Sequence, residues 1–311
     1  MSRWSRPPRH RRERARHLAS HHGPCAVRGR GVRLLVEVRQ GVDIVSTYSL
    51  GSSDAEVARL EVQAEFLREP TRLLLEASGI GPGMRVLDLG TGLGHVAAAV
   101  AEVVGPDGEV VGLDIDPHTL ELAQARTEHM PHVHFVNGDV ATWRDDDGFD
   151  AVVGRLILFH VADPVAVLRH HLQAVRSDGR VVMLDYDLGG IRTEPSDPLA
   201  DRMRALVLAA FRAAGADPVI GSRLQGILTE AGADSVGGFA IARYLASDDP
   251  VGVGMLSGVV RSLAPVMVAH GLTTEADLDL GTLSVRLADS LRSTGSVLVP
   301  PILAGAWGRR S

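Results

Sequence analysis

The sequence predicts an α/β protein: a doubly wound, Rossmann-like sheet of seven mostly parallel strands, with a helical N-terminal cap and a C-terminal helical lid. Three observations support this fold class. Apolar strands alternate with helical stretches between residues 85 and 186, a glycine-rich turn follows the first strand, and apolar residues form 45% of the chain while aromatic residues form only 4%. A core of Leu, Val and Ala suits helices that pack on both faces of a buried parallel sheet.

Charge is unevenly distributed along the 311 residues, a length that fits one α/β domain with an insertion. All 32 basic residues are Arg. Residues 1–30 contain nine Arg and one Glu, so that segment has a charge of +8. Because the whole chain has a net charge of −6, residues 31–311 have a charge of −14. We expect residues 1–40 to be a disordered tail, with an RNA- or membrane-seeking arm as the alternative. The acidic body predicts no nucleic-acid partner.

The N-terminal region offers two indications of compartment and a predicted cap. The single Cys25 cannot form an internal disulfide, and no apolar run near the N-terminus resembles a signal peptide, so we expect a reducing, cytoplasmic location. Residues 41–82 are predicted to form a helical cap, because Ser52, Ser53 and Asp54 provide helix-capping oxygens. The expected elements are a short strand or a frayed lead-in at 32–38, helices at 55–67 and 69–78, and a turn at 79–83.

Residues 83–190 are predicted to form the core, because strands and helices alternate there without long gaps. Right-handed crossovers would place the loops after successive strands at one edge of the sheet, where ligands bind. The predicted strands are 85–89, 109–114, 132–137, 150–156 and 179–186, and the predicted helices are 94–104, 118–127 and 164–175.

Residues 191–311 lose this alternation and are predicted to complete the sheet around a lid inserted at about residues 248–295. Helices are expected at 198–214, 221–231, 251–269, 274–278 and 282–293, and strands at 237–245 and 297–307. The 251–269 segment is apolar enough to suggest a membrane helix, but Arg261 and Pro265 lie in its middle and its length is marginal. We therefore expect no membrane span, and interpret the segment as an apolar lid or a homodimer face.

The turn after the first strand carries the clearest functional signal. From Asp88 to His95 it reads D-L-G-T-G-L-G-H. Glycines here permit positive φ and let a ligand approach the backbone above a helix N-terminus. His95 stands where a dinucleotide fingerprint needs Gly or Ala, and the Asp88 carboxylate would repel a pyrophosphate and attract an ammonium group. The pattern favours an amino acid joined to a nucleoside over a dinucleotide.

This turn resembles the first motif of the class I S-adenosylmethionine-dependent methyltransferases, and further segments follow that family in order. They are V-G-L-D-I-D at 111–116, N-G-D-V at 137–140 and F-D-A-V-V-G-R at 149–155. The resemblance covers residues 45–190 tightly, with Ser177 and Asp178 as a departure from the family's commoner Pro-Gly-Gly turn. It implies S-adenosylmethionine as the cofactor.

The resemblance also implies roles for individual residues. In the turn, the cofactor-binding residues would be Asp88, Gly90, Thr91, Gly92 and Gly94. Asp114 would bind both ribose hydroxyls and Ile115 would pack on the adenine; an acidic side chain offers two acceptor oxygens to a vicinal diol, and Ile an apolar face. Asp139 would accept from the adenine amino group, beside the Val140 amide.

Residues after the fourth and fifth strands are candidates for the chemistry. Methyl transfer from a sulfonium is an in-line displacement that needs positioning, exclusion of water and sometimes a base. His160 could be that base, with a hydrogen-bonded structural His as the alternative. Arg155 could bind the methionine carboxylate or an acidic substrate, with a surface charge as the alternative. Tyr186 alternates with Asp185 and Asp187, and any of the three could border the substrate.

Two cap residues complete the predicted site, and no metal is expected in it. We expect Tyr48 and Gln63 to contact the cofactor, because caps of this kind fold over the cofactor in the family that the sequence resembles. Adjacent histidines on a helix, such as His170 and His171, point about 100° apart and cannot chelate together.

We therefore expect an S-adenosylmethionine-dependent methyltransferase that acts on a small, apolar molecule. The Arg-only basic composition suggests a GC-rich genome and, by association, a natural-product intermediate as substrate. The alternatives are a cofactor-binding relative that catalyses decarboxylation or ring closure, a non-enzymatic cofactor-dependent interaction protein, and an oxidoreductase with a nicotinamide cofactor.

Overall fold

The structure, a computed structural model, describes residues 54–311. The predicted tail at 1–40, the predicted strand at 32–38 and Tyr48 lie outside the described residues. The helices are α1 (Asp54–Ser78), α2 (His95–Val104), α3 (Pro117–Arg126), α4 (Pro164–Ala174), α5 (Pro198–Ala213), α6 (Ile220–Ala231), α7 (Pro250–Ala269), α8 (Glu275–Leu278) and α9 (Leu283–Thr294). The strands are β1 (Arg85–Leu89), β2 (Glu109–Asp114), β3 (Val133–Asn137), β4 (Phe149–Arg155), β5 (Val175–Asp187), β6 (Arg192–Glu194), β7 (Asp234–Ile241), β8 (Val297–Val299) and β9 (Ile302–Arg309).

Seven of these strands form one sheet, in the order β3-β2-β1-β4-β5-β9-β7. The first five pair in parallel, and β9 pairs antiparallel with both β5 and β7. This confirms the predicted fold class, a Rossmann-like and mostly parallel seven-stranded sheet. The strand order reverses between β1 and β4, and the crevice outside the carboxyl ends of strands at such a reversal is where ligands bind.

Strand β1 shows why these segments form a buried sheet. Val86 packs with the side chains on one face, whereas Leu87 and Leu89 pack with those on the other, and all three are fully buried. Apolar residues on both faces are expected for a parallel strand covered on both sides. Helix α2 contributes Val100 to the first layer and helix α6 contributes Leu224 to the second.

Helix α1 runs without a break through Pro70, so the prediction of two helices at 55–67 and 69–78 is wrong. Proline has no N–H, and the carbonyl of Phe66 therefore loses its helical donor. Arg243, in the loop after β7, replaces that donor: its Nη1 donates to the Phe66 carbonyl oxygen at 3.4 Å, and its guanidinium lies 4.2 Å from the centre of the Phe66 ring. A residue distant in sequence thus supplies a donor to the carbonyl group that Pro70 leaves without one.

The single strand predicted at 297–307 is also wrong, because Pro300 and Pro301 divide it into β8 and β9. Proline cannot donate to a strand ladder, which ends the pairing there. Strand β8 pairs instead with β6, a three-residue strand that the sequence did not predict, in a separate two-stranded sheet. This small sheet places Leu298 and the two prolines beside the carboxyl edge of the main sheet.

Helix α7 contains the apolar segment that raised the question of a membrane. Within the described residues it is the one helix long and apolar enough to cross a bilayer by length and composition, and 44% of its most apolar window is buried. Leu256, Val260, Leu263 and Met267 form its buried face, which packs against α5 and α9. A helix buried in a protein core can have the same length and apolar composition as a membrane-spanning helix.

Candidate functional site

A cavity of about 880 Å³ lies at the carboxyl edge of the sheet. Its floor comes from the ends of β1, β2, β4 and β5, and its remaining walls come from the segment after β5, from α1, α5 and α7, and from the β8–β9 connection. The lining includes Gly90, Thr91, Gly92, Leu93, His95, Val96, Asp114, Ile115, Asp116, Arg155, Leu156, Ile157, Phe159, His160, Tyr186, Leu188, Ile191, Phe211, Gln63, Met255, Val259, Leu298, Pro300 and Pro301. The turn after β1, both catalytic candidates and Gln63 therefore share one cavity.

The glycine-rich turn has the geometry that its sequence predicts. Gly90, Gly92 and Gly94 have φ values of 63°, 51° and 78°, a left-handed region that favours glycine. A Cβ at Gly92 would meet nothing within 4 Å, which leaves open space above the turn. Gly94 precedes α2 and has no side chain, so the N-cap residue itself makes no side-chain bond to the first-turn amides of α2.

Asp114 and Ile115 provide a polar and an apolar contact side by side. The Asp114 Oδ2 accepts from the Gly92 amide at 2.8 Å, and its Oδ1 accepts from the Asp116 amide at 3.0 Å. Ile115 lies beside it with 69% of its surface exposed, an unusual position for a large apolar side chain. The Asn137 side chain donates to the carbonyl oxygens of both residues and fixes this segment. A carboxylate beside an exposed apolar face fits a ribose joined to an adenine.

Asp88 lies beneath the turn and does not line the cavity. It is 1% exposed, and its Oδ2 accepts from the Thr91 hydroxyl at 2.7 Å. Burial raises the Asp88 pKa to about 7, although the Thr91 hydrogen bond and the Arg155 charge oppose the shift. Its Oδ1 is buried without a hydrogen-bond partner among the described residues. This carboxyl group supports Thr91 from below, and its predicted contact with an ammonium group stays a prediction.

The third motif, N-G-D-V at 137–140, contacts helix α4. Asp139 is exposed and accepts from the Ala141 amide at 2.8 Å. The Val140 carbonyl oxygen lies 2.6 Å from Nε2 of His171, a buried residue of α4 whose pKa burial lowers to about 4. Neither motif residue lines the cavity, so the adenine contacts of Asp139 and Val140 rest on the resemblance alone.

Arg155 brings a cation to the floor of the cavity at the end of β4. Its Nη1 donates to the Thr71 hydroxyl of α1 at 2.9 Å. Burial lowers the Arg155 pKa, and the opposing effects of Asp88 and Tyr186 do not offset it. The next residue, Leu156, has a φ of 57° and lines the same cavity. No local pattern indicates a left-handed backbone at this non-glycine residue.

His160 lies in a short 3-10 turn, Leu158–His160, that lines the cavity. Its ring centre is 3.9 Å from that of Phe159. Burial lowers the His160 pKa to about 4, so the imidazole is neutral near neutral pH. A base of such low pKa holds a proton weakly, which favours a positioning role over proton removal.

We expect His160→Gln to retain turnover within about ten-fold of the wild type. The neutral imidazole fills space and offers hydrogen-bonding atoms, and glutamine keeps polar atoms of both kinds. Steady-state rates should be measured beside calorimetric affinity for S-adenosylhomocysteine. A loss of about 10² to 10⁴ in rate at unchanged affinity would instead identify His160 as the general base.

Asp185, near the end of β5, holds the turn that carries His160. It is 1% exposed; its Oδ2 accepts from the Leu158 amide at 3.1 Å and its Oδ1 from the Tyr186 amide at 3.3 Å. Burial raises the Asp185 pKa to about 8, against the lowering effect of these amides. Tyr186 itself lines the cavity and is 9% exposed. Asp185 is therefore a positioning residue beneath the cavity floor.

The raised pKa predicts how Asp185→Asn changes stability with pH. The folded state holds the Asp185 proton more tightly than the unfolded chain, so this carboxyl group stabilises the fold at low pH and the contribution is lost as pH rises toward 8. Asparagine does not titrate. Urea unfolding at about pH 5 and about pH 8 should show the variant gaining at least about 1 kcal/mol relative to the wild type at the higher pH. A difference that does not vary with pH would contradict the raised pKa.

Glu61 and Arg126 are residues of this site that the sequence did not single out. One Glu61 oxygen lies 3.5 Å from His95 Nε2, and the other is bonded by the Arg126 guanidinium. Arg126 Nε also donates to the Leu93 carbonyl oxygen at 2.9 Å. These contacts fasten α1 over the turn after β1. They join residues far apart in sequence, and no local pattern indicates them.

No group of three or more potential metal ligands occurs among residues 54–311. His170 and His171 bond separately to the carbonyl oxygens of Trp143 and Val140.

Comparison with known proteins adds to this geometry. Residues 80–230 match a family model described as a methyltransferase domain. An uncharacterized 37.1 kDa protein in transposon TN4556 of Streptomyces fradiae is 35% identical over 126 residues, or 40% of this chain and 36% of that protein. A demethylmenaquinone methyltransferase of Staphylococcus aureus is 30% identical over 134 residues, or 43% of this chain and 53% of that enzyme. The matches thus span between about a third and about half of these relatives.

A solved structure supports the fold alone. A candidate methyltransferase from Bacillus halodurans aligns with a TM-score of 0.50 and 18% identity, covering 77% of this chain and 98% of that chain. The likeness extends beyond the residues that the family model matches.

Proposed function

We propose that the protein transfers a methyl group from S-adenosylmethionine to a small, mainly apolar molecule. Residues 80–230 match a methyltransferase-domain family model, and the motifs in the same region resemble those of the class I S-adenosylmethionine-dependent methyltransferases. The observation that carries the proposal is that one cavity joins two chemically different regions. One has the open glycine turn, the Asp114 carboxylate and the exposed face of Ile115. The other has the apolar walls of β5, α5 and α7.

The size of the cavity supports this division. Ligand cavities commonly have volumes of about 300–1,000 Å³, and this one, at about 880 Å³, is near the upper limit. It has room for a nucleoside-linked amino acid and a second small molecule. Leu188, Ile191, Phe211, Met255 and Val259 line the second region, which favours an apolar acceptor.

The residues of the chain would act mainly by binding and orientation. The cofactor supplies a methyl group already activated on a sulfonium. Asp114 and the glycine turn would hold the nucleoside, while the end of β4 and the 3-10 turn would bring the acceptor in line with the methyl group. Helices α1 and α7 would keep water from the reacting atoms. Glu61, through His95 and Arg126, would hold α1 in place.

The acceptor that we propose is a natural-product intermediate of apolar character, formed in the cytoplasm. Support comes from the apolar walls of the cavity and, by association, from the Arg-only basic composition. Because one relative is a demethylmenaquinone methyltransferase, apolar quinols belong in the acceptor panel beside phenols and aromatic acids.

The test is product analysis with purified protein, S-adenosylmethionine and this acceptor panel. We expect S-adenosylhomocysteine to form only when an acceptor is present, and one acceptor to gain a methyl group by mass spectrometry. An acceptor that is decarboxylated or cyclised without methylation would favour a non-methylating relative. Binding of S-adenosylhomocysteine without conversion of any acceptor would favour an interaction protein.

A further inference from the structure

Arg155 is a cation that faces the cavity. Its hydrogen bond to Thr71 uses one nitrogen, and within residues 57–311 no ion pair joins its guanidinium to a carboxylate. Asp88 is the acid that influences it most, but Asp88 bonds Thr91 and its pKa of about 7 leaves it only partly ionised at neutral pH. A cation in a poorly hydrated site without a counter-ion is unfavourable, and an anionic ligand would relieve that cost.

Resting on the proposed function, we infer that the methyl acceptor carries a carboxylate group, which Arg155 binds at the floor of the cavity. The planar guanidinium can form two parallel hydrogen bonds with a carboxylate. One nitrogen is already fixed by Thr71, so the side chain is oriented before the ligand arrives. The apolar part of the acid would lie against Phe159, Phe211 and Leu188, which line the same region.

The position of Arg155 on the sheet separates it from the nucleoside region. Asp114 ends β2 and Arg155 ends β4, with β1 between them. The two residues are therefore two strand spacings apart, each of about 4.8 Å. Arg155 has Tyr186, at the end of the next strand, as an electrostatic neighbour. It thus lies on the side of the cavity where the apolar walls are.

The cofactor's own carboxylate has a different candidate position. Helix α2 begins at His95 without a side-chain cap and has no acidic residue in its first turn. His95 and Val96 line the cavity. The positive end of a helix favours an anion. If the methionine carboxylate lies there, Arg155 remains for the acceptor.

The experiment compares a matched acid and alcohol, the carboxylate of 4-butylbenzoic acid and 4-butylbenzyl alcohol, by calorimetry at saturating S-adenosylhomocysteine. We expect the wild type to bind the acid at least about ten-fold more tightly. Arg155→Met should abolish this preference, and Arg155→Lys, which keeps the charge but loses the fork, should retain part of it. Arg261→Met is the matched control, because Arg261 also lines the cavity but is exposed on α7; it should leave the preference unchanged.

Affinity for two cofactor fragments identifies which carboxylate Arg155 binds. S-adenosylhomocysteine has the amino-acid group and methylthioadenosine lacks it. We expect both affinities in Arg155→Met to stay within about two-fold of the wild type, which also shows that the variant is folded. If Arg155→Met weakened binding of S-adenosylhomocysteine but not of methylthioadenosine, Arg155 would bind the cofactor's carboxylate, and the inference would be overturned. So would a wild type without preference for the acid, or loss of preference in Arg261→Met. A wild type that binds no S-adenosylhomocysteine would instead contradict the proposed function.

Discussion

Replacing Asp114 with alanine is expected to weaken S-adenosylhomocysteine binding by about 2 kcal/mol, or about 30-fold. The substitution would strand two ribose hydroxyls in a partly buried site. It also removes the acceptor of the Gly92 and Asp116 amides, which hold the turn after β1 against the end of β2. Asp114→Asn keeps one acceptor oxygen and should lose less. Isothermal titration calorimetry measures both variants directly.

Asp139→Ala is the informative comparison for this prediction. Asp139 is the other acid that the family resemblance assigns to the nucleoside, but in the structure it is exposed and bonds within its own turn. We expect a smaller loss of affinity in this variant than in Asp114→Ala. Unchanged affinity in Asp114→Ala would mean that the nucleoside does not bind at the end of β2.

The second large effect is expected at Gly221, where α6 crosses the end of β5. A Cβ at this position would lie 2.6 Å from the Asp185 carbonyl oxygen and 2.7 Å from the carbonyl carbon of Tyr186. These are backbone atoms of the strand that forms part of the cavity floor, and they cannot move aside without displacing it. Gly221→Ala should therefore lower the free energy of unfolding by about 3 kcal/mol. Urea unfolding followed by circular dichroism measures this change.

Gly226 provides a control in the same helix. A Cβ at Gly226 would meet nothing within 4 Å. Gly226→Ala should raise the free energy of unfolding by up to about 1 kcal/mol, because alanine favours the helix more than glycine does. If both alanine variants changed stability in the same direction and by similar amounts, the close packing of α6 on β5 would be contradicted.

Helix starts were predictable where the chain marks them locally. An Asp followed directly by Pro begins four helices, with Asp116, Asp163, Asp197 and Asp249 as the caps. The aspartate oxygen accepts a first-turn amide, and proline suits the first helical position. The predicted starts of α3, α4, α5 and α7 lie within one residue of those observed. Strands β1 and β2 match their predicted bounds.

The errors arose where distant residues decide the local structure. Pro70 is a reason to end a helix, but α1 continues, with Leu67 and Leu74 buried on either side of Pro70 and Arg243 donating to the Phe66 carbonyl oxygen. Strand β6 is too short to show a pattern, and it exists because β8 pairs with it. Neither interaction has a signature within a window of neighbouring residues.

The same distinction applies to the site. The sequence indicated which strand ends would meet, and the predicted residues that line the cavity are Gly90, Thr91, Gly92, Asp114, Ile115, Arg155, His160, Tyr186 and Gln63. It did not indicate which side of a loop each residue would occupy. Asp88 lies under its turn because Thr91 bonds it from above, and Val140 is drawn toward α4 by His171.

The place of β9 in the sheet has a consequence for how the chain folds. Strand β9 is the last strand in the described chain, yet it lies between β5 and β7, and its ladder with β5 joins segments separated by more than a third of the sequence. During synthesis, β5 therefore remains an open edge and β7 has no neighbour until residues 302–309 emerge from the ribosome. Open edges invite pairing with other chains, and contacts of such long range form slowly. We therefore expect the edge of β5 to be open to pairing with other chains between the synthesis of β5 and the insertion of β9.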